Sequence, residues 1–511
     1  MKNMKKILAL VLAMMLVLGM TSAMAATITI TRDSTYDGVN TGARTYTAYK
    51  VLDADTTLSG SNSQSDKDPT YTSNGPIAYT ILKTSPWVTA VQGATTWFDV
   101  KDLPGDSTRY SVTLKSGVTN NATTAQAIAA YFNSNIPNNA PTVTITPPTA
   151  VTVDPGYYLI VPSDGAPNLT LVTTDVTIVE KNPYVTTHKT GPETSFNVGD
   201  IIPYTATVII PADTSKNGPI TLHDTMTANV LAFQNDVAAT IDTDTDNDGN
   251  NDAFTGFTVK STGLTDDCTF EISIPVTDDV LGKTITFTYS AMLTDAAATD
   301  TGYVNELFGE KNGYTTKPED VTDWTFDFSF LKDFTGVNDP TLTAKFELQT
   351  NTHTDASGDD PATDAPSGTA IKFNAKDGHK YEKSDDNTGT TELVIADAET
   401  LNIVGLKEGI YWLVEKETST GYNLLDGPVK VIITDTSTQN QSTGVWTVSH
   451  TVTTVGNNID QNGVITVENN SGTVLPSTGG MGTTILYVGG SILVILAAIL
   501  LVTKRRMGSN D

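Results

Sequence analysis

The chain has 511 residues with a formal net charge of −28 and a pI of about 4.3, and this acidic balance argues against nucleic acid as a partner. Its single cysteine, Cys268, excludes an intramolecular disulfide. The length is enough for about three domains of ordinary size.

The N-terminus has the three parts of a secretory signal peptide. Lysines cluster within the first six residues, an apolar run follows, and Ala23-Met24-Ala25 supplies the small-x-small cleavage pattern. Residues 1–25 are therefore predicted to be a signal peptide and the remainder to be exported.

The mature chain consists mainly of short runs rich in Thr, Val, Tyr and Ile, separated by Gly, Asn, Asp and Pro. Such runs predict strands, and the best helical pattern covers only residues 123–136. We predict an all-β chain of tandem immunoglobulin-like β-sandwiches. The predicted domains are residues 26–184, 185–324 and 325–474, followed by a C-terminal segment at 475–511.

The first domain contains "TYTAYKVL" and "GYYLIVPSDG", which resemble the N-terminal domain of Gram-positive major pilins. Whether this domain has a cross-link of its own stays open. It ends in "IVEKN", and the family often has Tyr-Pro-Lys-Asn here, so Val179 and Glu180 replace Tyr-Pro. By position, the resemblance implies that Lys181 is the exposed amine that a sortase joins to the next subunit.

The second domain contains "THKTGPETSFNVGDIIPYTATVIIP", "ITLHDTM" and "TGYVNELFGEKNGYTTKPEDVTDWTF". These segments resemble the isopeptide-forming middle domain of major pilins. The resemblance implies an intramolecular bond between Lys189 and Asn305, assisted by Asp224. A turn or capping role for Asp224 is the competing interpretation.

An acidic stretch in the same domain resembles part of a calcium loop. Asp244, Asp246 and Asp248 precede Gly249, but Thr255 stands where an EF-hand needs a bidentate Glu. We therefore expect an acidic turn and no metal, with calcium binding as the alternative.

The third domain contains "TFDFSFLKDF", "LTAKFELQ", "IYWLVEKETSTGYNLL" and "VITVENNSG", which resemble the Cna protein B-type domain in order and spacing. Matches to its E-box pattern, YxLxETxAPxGY, are Tyr411, Leu413, Glu415, Gly421 and Tyr422, whereas Lys416, Thr418 and Ser419 depart from it. The resemblance implies a bond between Lys332 and Asn469, assisted by Glu415. Asn470 is the alternative to Asn469.

These residue types suit the chemistry. A lysine at its solution pKa of about 10.4 is a cation and cannot attack. Burial disfavours the charged form of the amine and keeps a carboxylic acid protonated. The acid can then polarise the Asn carboxamide and pass a proton to departing ammonia.

The C-terminus reads Leu475-Pro476-Ser477-Thr478-Gly479, followed by an apolar run at residues 485–502 and the basic Lys504, Arg505 and Arg506. The run is long enough for a transmembrane helix, and the basic residues place the tail in the cytoplasm. The pentapeptide, run and tail in this order resemble the LPxTG signal of sortase substrates. The resemblance implies cleavage between Thr478 and Gly479.

Together these features predict the backbone subunit of a covalent pilus, which supports adhesion at the cell surface. We expect a homopolymer joined from Lys181 to Thr478 by a class C sortase, with accessory pilins, and attachment to peptidoglycan by a housekeeping sortase. The alternative is a monomeric wall-anchored adhesin. Enzymatic motifs such as G-x-S-x-G and HExxH are absent from the sequence, so we expect no enzyme and no cofactor.

Overall fold

The computed structural model describes residues 25–31, 40–41, 44–55, 78–180, 183–352, 364–376, 379–472 and 494. Lys181, the 475–479 pentapeptide, and nearly all of the predicted signal peptide and membrane helix lie outside these ranges. None of the helices within them is long and apolar enough to cross a membrane.

The described chain is built from β-strands with two helices, which confirms the predicted fold class of tandem β-sandwiches. It divides into two compact units. The N-terminal unit comprises residues 1–297 and 301–324, and the C-terminal unit comprises 298–300 and 325–511. In the N-terminal unit the buried apolar residues form separate clusters, one within 184–321 and two within 26–172. The division into three domains stays a prediction.

The first part of the N-terminal unit has a sheet in the order β11-β1-β8 and a larger one in the order β10-β9-β3-β4-β6-β5, with β7 paired to β3. The helix α2 begins at the N-cap Asn121, whose side chain accepts a hydrogen bond from the backbone N–H of Thr124. The elements are β1 (Ala26–Thr31), β2 (Asn40–Thr41), β3 (Tyr46–Asp55), β4 (Ala78–Leu82), α1 (Val88–Gly93), β5 (Phe98–Leu103), β6 (Asp106–Leu114), α2 (Ala122–Ser134), β7 (Val143–Ile145), β8 (Val151–Val153), β9 (Gly156–Pro162), β10 (Asn168–Val172) and β11 (Val176–Val179).

The second part of this unit is a sandwich of two sheets. One has the order β12-β13-β20-β16-β17, with β15 on β20, and the other has the order β18-β19-β14-β21-β22-β2, with β23 on β21. The strands are β12 (Thr186–Thr190), β13 (Ile201–Ile209), β14 (Ile220–Met226), β15 (Leu231–Phe233), β16 (Ala238–Ile241), β17 (Asp252–Ala253), β18 (Thr258–Lys260), β19 (Phe270–Ile274), β20 (Thr284–Leu293), β21 (Tyr303–Lys311), β22 (Tyr314–Thr316) and β23 (Glu319–Asp323).

The C-terminal unit is a second sandwich. Its sheets have the orders β27-β28-β30-β24-β37-β36 and β26-β25-β31-β32-β35, with β29 on β25, and β33 and β34 form a separate hairpin. The strands are β24 (Phe326–Phe334), β25 (Thr343–Asn351), β26 (Pro366–Ala370), β27 (Phe373–Lys376), β28 (Lys380–Lys383), β29 (Leu393–Ala396), β30 (Thr400–Leu406), β31 (Gly409–Thr418), β32 (Val429–Asp435), β33 (Thr438–Gln439), β34 (Trp446–Thr447), β35 (His450–Thr454), β36 (Asn458–Ile459) and β37 (Val464–Asn469).

Alternation along the strands puts polar residues at inward positions. In β24, every second residue from Phe326 to Phe334 is buried, and Lys332 occupies one of these positions among phenylalanines. In β12 the inward positions belong to Thr187 and Lys189, and in β21 Asn305 shares the inward face with Leu307. Burying a charged amine or an unpaired amide is costly, so these positions call for a chemical explanation.

Candidate lysine–asparagine cross-link sites

The site in the sandwich of the N-terminal unit centres on Lys189, whose side chain is fully buried. Its Nζ donates hydrogen bonds to Asp224 Oδ2 and to the Tyr289 hydroxyl, each at 2.6 Å. The rings of Tyr204 and Tyr289 lie 5.2 and 5.0 Å from the same nitrogen. The amine is therefore enclosed by one carboxyl group and two aromatic rings.

Burial governs the protonation of this pair. Desolvation lowers the pKa of Lys189, and attraction to Asp224 opposes that change. Desolvation raises the pKa of Asp224, and attraction to Lys189 opposes it. Both shifts favour the neutral amine and the neutral acid, which are the forms that amide formation needs.

The third predicted residue, Asn305, is completely buried on β21. It pairs with Met226 of β14, two positions beyond Asp224, so Asn305 and Asp224 lie on the same face of the sheet. Neither amide atom of Asn305 has a hydrogen-bond partner, and Asp224 Oδ1 also lacks one. An unsatisfied buried amide costs stability, so packing alone does not explain an asparagine at this position.

Three further residues near this site were missed from the sequence, and of these Tyr289 is the one whose hydroxyl contacts the lysine amine and Asp224. The Tyr289 hydroxyl donates a hydrogen bond to Asp224, and Asn305 lies close enough to that hydroxyl to lower its pKa. On the other side, the Tyr204 hydroxyl donates to Asp323 Oδ2 at 2.9 Å, and burial raises the pKa of Asp323 to about 6. The alternation of "TITFTYSAML" in β20 was the available signal for Tyr289, since it makes that residue inward-facing.

The site in the C-terminal unit centres on the buried Lys332. Its Nζ donates to the backbone carbonyls of Asp333 and Val467, each at 3.1 Å, and lies 4.2 Å from the Phe334 ring centroid. Desolvation lowers the pKa of Lys332 to about 8, against the attraction of Glu415. The neutral form of this amine is therefore much more populated near neutral pH than that of a free lysine.

Asn469 and Glu415 are in direct contact. Asn469 Nδ2 donates to Glu415 Oε1 and Thr418 Oγ1, both at 2.8 Å, while its buried Oδ1 has no partner. Burial raises the pKa of Glu415, opposed first by the hydrogen bond from the Leu425 backbone. The carboxyl group is thus held at the nitrogen that would leave as ammonia.

The register of two parallel strands brings the lysine and the asparagine together. Lys332 pairs with Val467, and Asn469 pairs with Phe334, so both side chains lie on one face of β24 and β37, one alternation apart. Asn470 is exposed, and its Oδ1 accepts a hydrogen bond from the Thr335 hydroxyl at 3.1 Å. Of the two alternatives, Asn469 is the one that faces Glu415.

Lys181 lies outside the described residues, but the chain before and after it is described. The Glu180 carboxylate accepts a hydrogen bond from Arg44 at 2.7 Å and another from the Tyr184 hydroxyl at 2.6 Å. Arg44 also donates to Asp164 at 3.2 Å and lies 3.9 Å from the centre of the Tyr184 ring. Glu180 is therefore part of a buried ion-pair network.

Three groups of side chains in the described part of the chain have the spacing to hold a metal ion. The exposed Asp244, Asp246 and Asp248 form one, and their carboxylates accept hydrogen bonds from backbone N–H groups of their own loop, as in an acidic turn. The other two groups are His223, Asp266, Cys268 and Glu271, and Asp300, Asp327 and His450.

Comparison with known proteins gives one match to a family profile. Residues 467–507 match the profile described as LPXTG cell wall anchor motif, so the chain carries a cell wall anchor signal at its C-terminus. A search of curated proteins found no match.

Solved structures give further likenesses. The Corynebacterium diphtheriae major pilin SpaA has 15% identity and a TM-score of 0.46, covering 88% of this chain and 100% of that one. BcpA, the major pilin subunit of Bacillus cereus, has 13% identity and a TM-score of 0.36, covering 88% of this chain and 99% of that one. The pilus 2b backbone protein of group B streptococcus has 24% identity and a TM-score of 0.36, covering 57% of this chain and 99% of that one.

Proposed function

We propose that the chain is the backbone subunit of a sortase-assembled pilus, covalently attached to the Gram-positive cell wall. The observation that carries the proposal is the combination of two lysine–carboxyl–asparagine sets, each with a buried lysine and a buried asparagine, with a C-terminal cell wall anchor motif. Internal cross-links suit a subunit that must hold its fold under load without disulfides.

Each internal bond forms by the same balanced step. The neutral lysine Nζ attacks Cγ of the asparagine, a C–N bond forms, and the former amide nitrogen leaves as ammonia. The acid, the buried Asp224 or the half-buried Glu415, polarises the carboxamide, supplies the proton that the leaving nitrogen needs, and regains a proton from the lysine nitrogen. The step happens once per chain and is maturation, so the protein itself is no enzyme.

Polymerisation uses a different lysine and an external catalyst. A class C sortase would cleave between Thr478 and Gly479, hold the Thr478 carbonyl as a thioester, and pass it to Lys181 Nζ of another subunit. A housekeeping sortase would pass the last Thr478 to the peptidoglycan, and accessory pilins would join the fibre. Lys181 must therefore be accessible, in contrast to the buried Lys189.

The test is replacement of Lys181 with Ala in the native host. The expected result is loss of the high-mass ladder from wall extracts on denaturing gels, because no acceptor amine remains. Lys317→Ala removes another exposed lysine and is the matched control, which should keep the ladder. A ladder that survives in Lys181→Ala would refute Lys181 as the acceptor amine. A wild-type chain without a ladder would instead support a monomeric wall-anchored adhesin.

A further inference from the structure

Tyr289 occupies a central position in the Lys189 site of the N-terminal unit. Its hydroxyl lies 2.6 Å from Lys189 Nζ and also donates a hydrogen bond to Asp224. Asn305, with both amide atoms unpartnered, lies beside the same hydroxyl. One phenol group therefore touches the nucleophile and the acid and neighbours the amide to be attacked.

We propose that Tyr289 is a catalytic residue for the Lys189–Asn305 bond, carrying a proton from the attacking amine towards the leaving amide nitrogen. The inference rests on the proposed function, since it concerns the internal bond assigned there. A hydroxyl group suits this role because it accepts one hydrogen bond while donating another.

The proton balance shows why a relay is useful. When Lys189 Nζ bonds to Asn305 Cγ, the nitrogen becomes positively charged and must lose a proton, while the departing nitrogen must gain one to leave as ammonia. Tyr289 can accept the first proton as it hands its own to Asp224 or Asn305, and Asp224 can complete the transfer. The phenol and the acid are both restored when ammonia leaves.

The surroundings keep Tyr289 in the form that a relay needs. Burial raises the pKa of Tyr289 well above its ordinary value of 10, so it stays a phenol rather than a phenolate. It acts by concerted exchange and needs no stable anion in the core. Asp224 Oδ2 already accepts hydrogen bonds from Lys189 and Tyr289, whereas Oδ1 has no partner and can contact the Asn305 amide.

The molecule supplies two controls. The centre of the Tyr204 ring lies 5.2 Å from Lys189 Nζ, almost the same distance as the 5.0 Å for Tyr289. The Tyr204 hydroxyl, however, donates its hydrogen bond to Asp323. The C-terminal unit has its own lysine, Lys332, whose hydrogen bonds go to two backbone carbonyls that cannot relay a proton. The Lys332–Asn469 bond is therefore an internal standard in the same chain.

The experiment follows bond formation in pulse-labelled full chains of the wild type, Tyr289→Phe and Tyr204→Phe. Samples taken over time are denatured and digested, and mass spectrometry gives the fraction of Lys189 peptide joined to Asn305 peptide. We expect Tyr289→Phe to slow this bond at least about 10-fold, because positioned acid–base groups contribute roughly 10²–10⁴-fold to rates. Tyr204→Phe should stay within about 2-fold of the wild type, and the Lys332–Asn469 bond should form normally in all three.

An unchanged rate in Tyr289→Phe would overturn the inference while leaving the bond itself intact, and so would equal slowing in the two variants. A wild-type chain without the joined peptide would overturn the bond and, with it, the inference. If Tyr289→Phe disturbs folding and loses both bonds, 3,5-difluorotyrosine at position 289 decides the matter. This residue keeps the ring and hydroxyl but makes the phenol more acidic, so an altered rate supports the relay and an unaltered rate refutes it.

Discussion

Lys189 and Lys332 each occupy an inward strand position that a hydrophobic residue would normally fill. Their environments differ in a way that matters chemically. Lys189 touches a carboxyl group and a phenol, whereas Lys332 hydrogen bonds to backbone carbonyls and lies against a phenylalanine ring. Lys332 therefore owes its lowered pKa mainly to desolvation, and its protonation should be visible in the stability of the fold.

This leads to a pH prediction for Asn469→Ala, in which Lys332 has no amide to attack. The folded pKa is about 8 against 10.5 for the free side chain, so between these values the unfolded chain binds more protons. Stability should therefore rise with pH across this window, by up to about 3 kcal/mol at roughly 1.4 kcal/mol per pKa unit. Below the folded pKa both states are protonated, and this contribution is lost.

Urea unfolding at a series of pH values measures the effect. The double variant Lys332→Met, Asn469→Ala lacks the amine and should show no such rise. An equal rise in both variants would assign the pH dependence to other groups and contradict a buried, neutralised Lys332.

Among the elements, each proposed bond would join the first strand of a sandwich to a strand near its end. Lys189 lies on β12 and Asn305 on β21, which belong to different sheets, so that bond would tie the two layers together. Lys332 and Asn469 lie on β24 and β37, which are parallel neighbours in one sheet. That bond would resist sliding of one strand along the other.

The C-terminal sandwich allows a matched test of this cross-link. Asn469→Ala should lower the free energy of unfolding by about 4–5 kcal/mol, since the cross-link closes a loop of more than roughly 100 residues. The adjacent Asn470→Ala removes an exposed amide and should have little effect. Intact mass reports the chemistry, because each bond lowers the mass by about 17 Da through lost ammonia. If Asn470→Ala, and not Asn469→Ala, lacked the decrease in mass of about 17 Da, Asn470 would be the residue that reacts with Lys332.

The strands and the inward positions of Lys189, Lys332 and Asn305 could be predicted because alternation is a local property of the sequence. The pairing of Glu415 with Asn469 was implied by the resemblance to the Cna protein B-type domain, and the two side chains are hydrogen bonded at 2.8 Å. Tyr289 could not be predicted as a partner of Lys189. Alternation says that a residue faces inward but not which inward residues from strands about 100 positions apart will meet. The choice between Asn469 and Asn470 likewise needed the register of β37 against β24.

For the whole molecule, the proposal defines a path for tension. Force would enter a subunit at Lys181 and leave at Thr478, so the residues between them bear the load. Both buried lysine–asparagine sets fall within that interval, whereas residues 26–180 precede it. The proposed cross-links would thus stabilise the load-bearing part of a chain whose single cysteine allows no intramolecular disulfide.

The most direct test of the account is a peptide map of material released from the cell wall of the native host. The predicted result is a branched peptide in which Lys181 Nζ carries the Thr478 carbonyl of a second subunit, with Lys317 unmodified in the same digest. The contradictory result is an unmodified Lys181 peptide throughout, with Thr478 joined only to wall peptide.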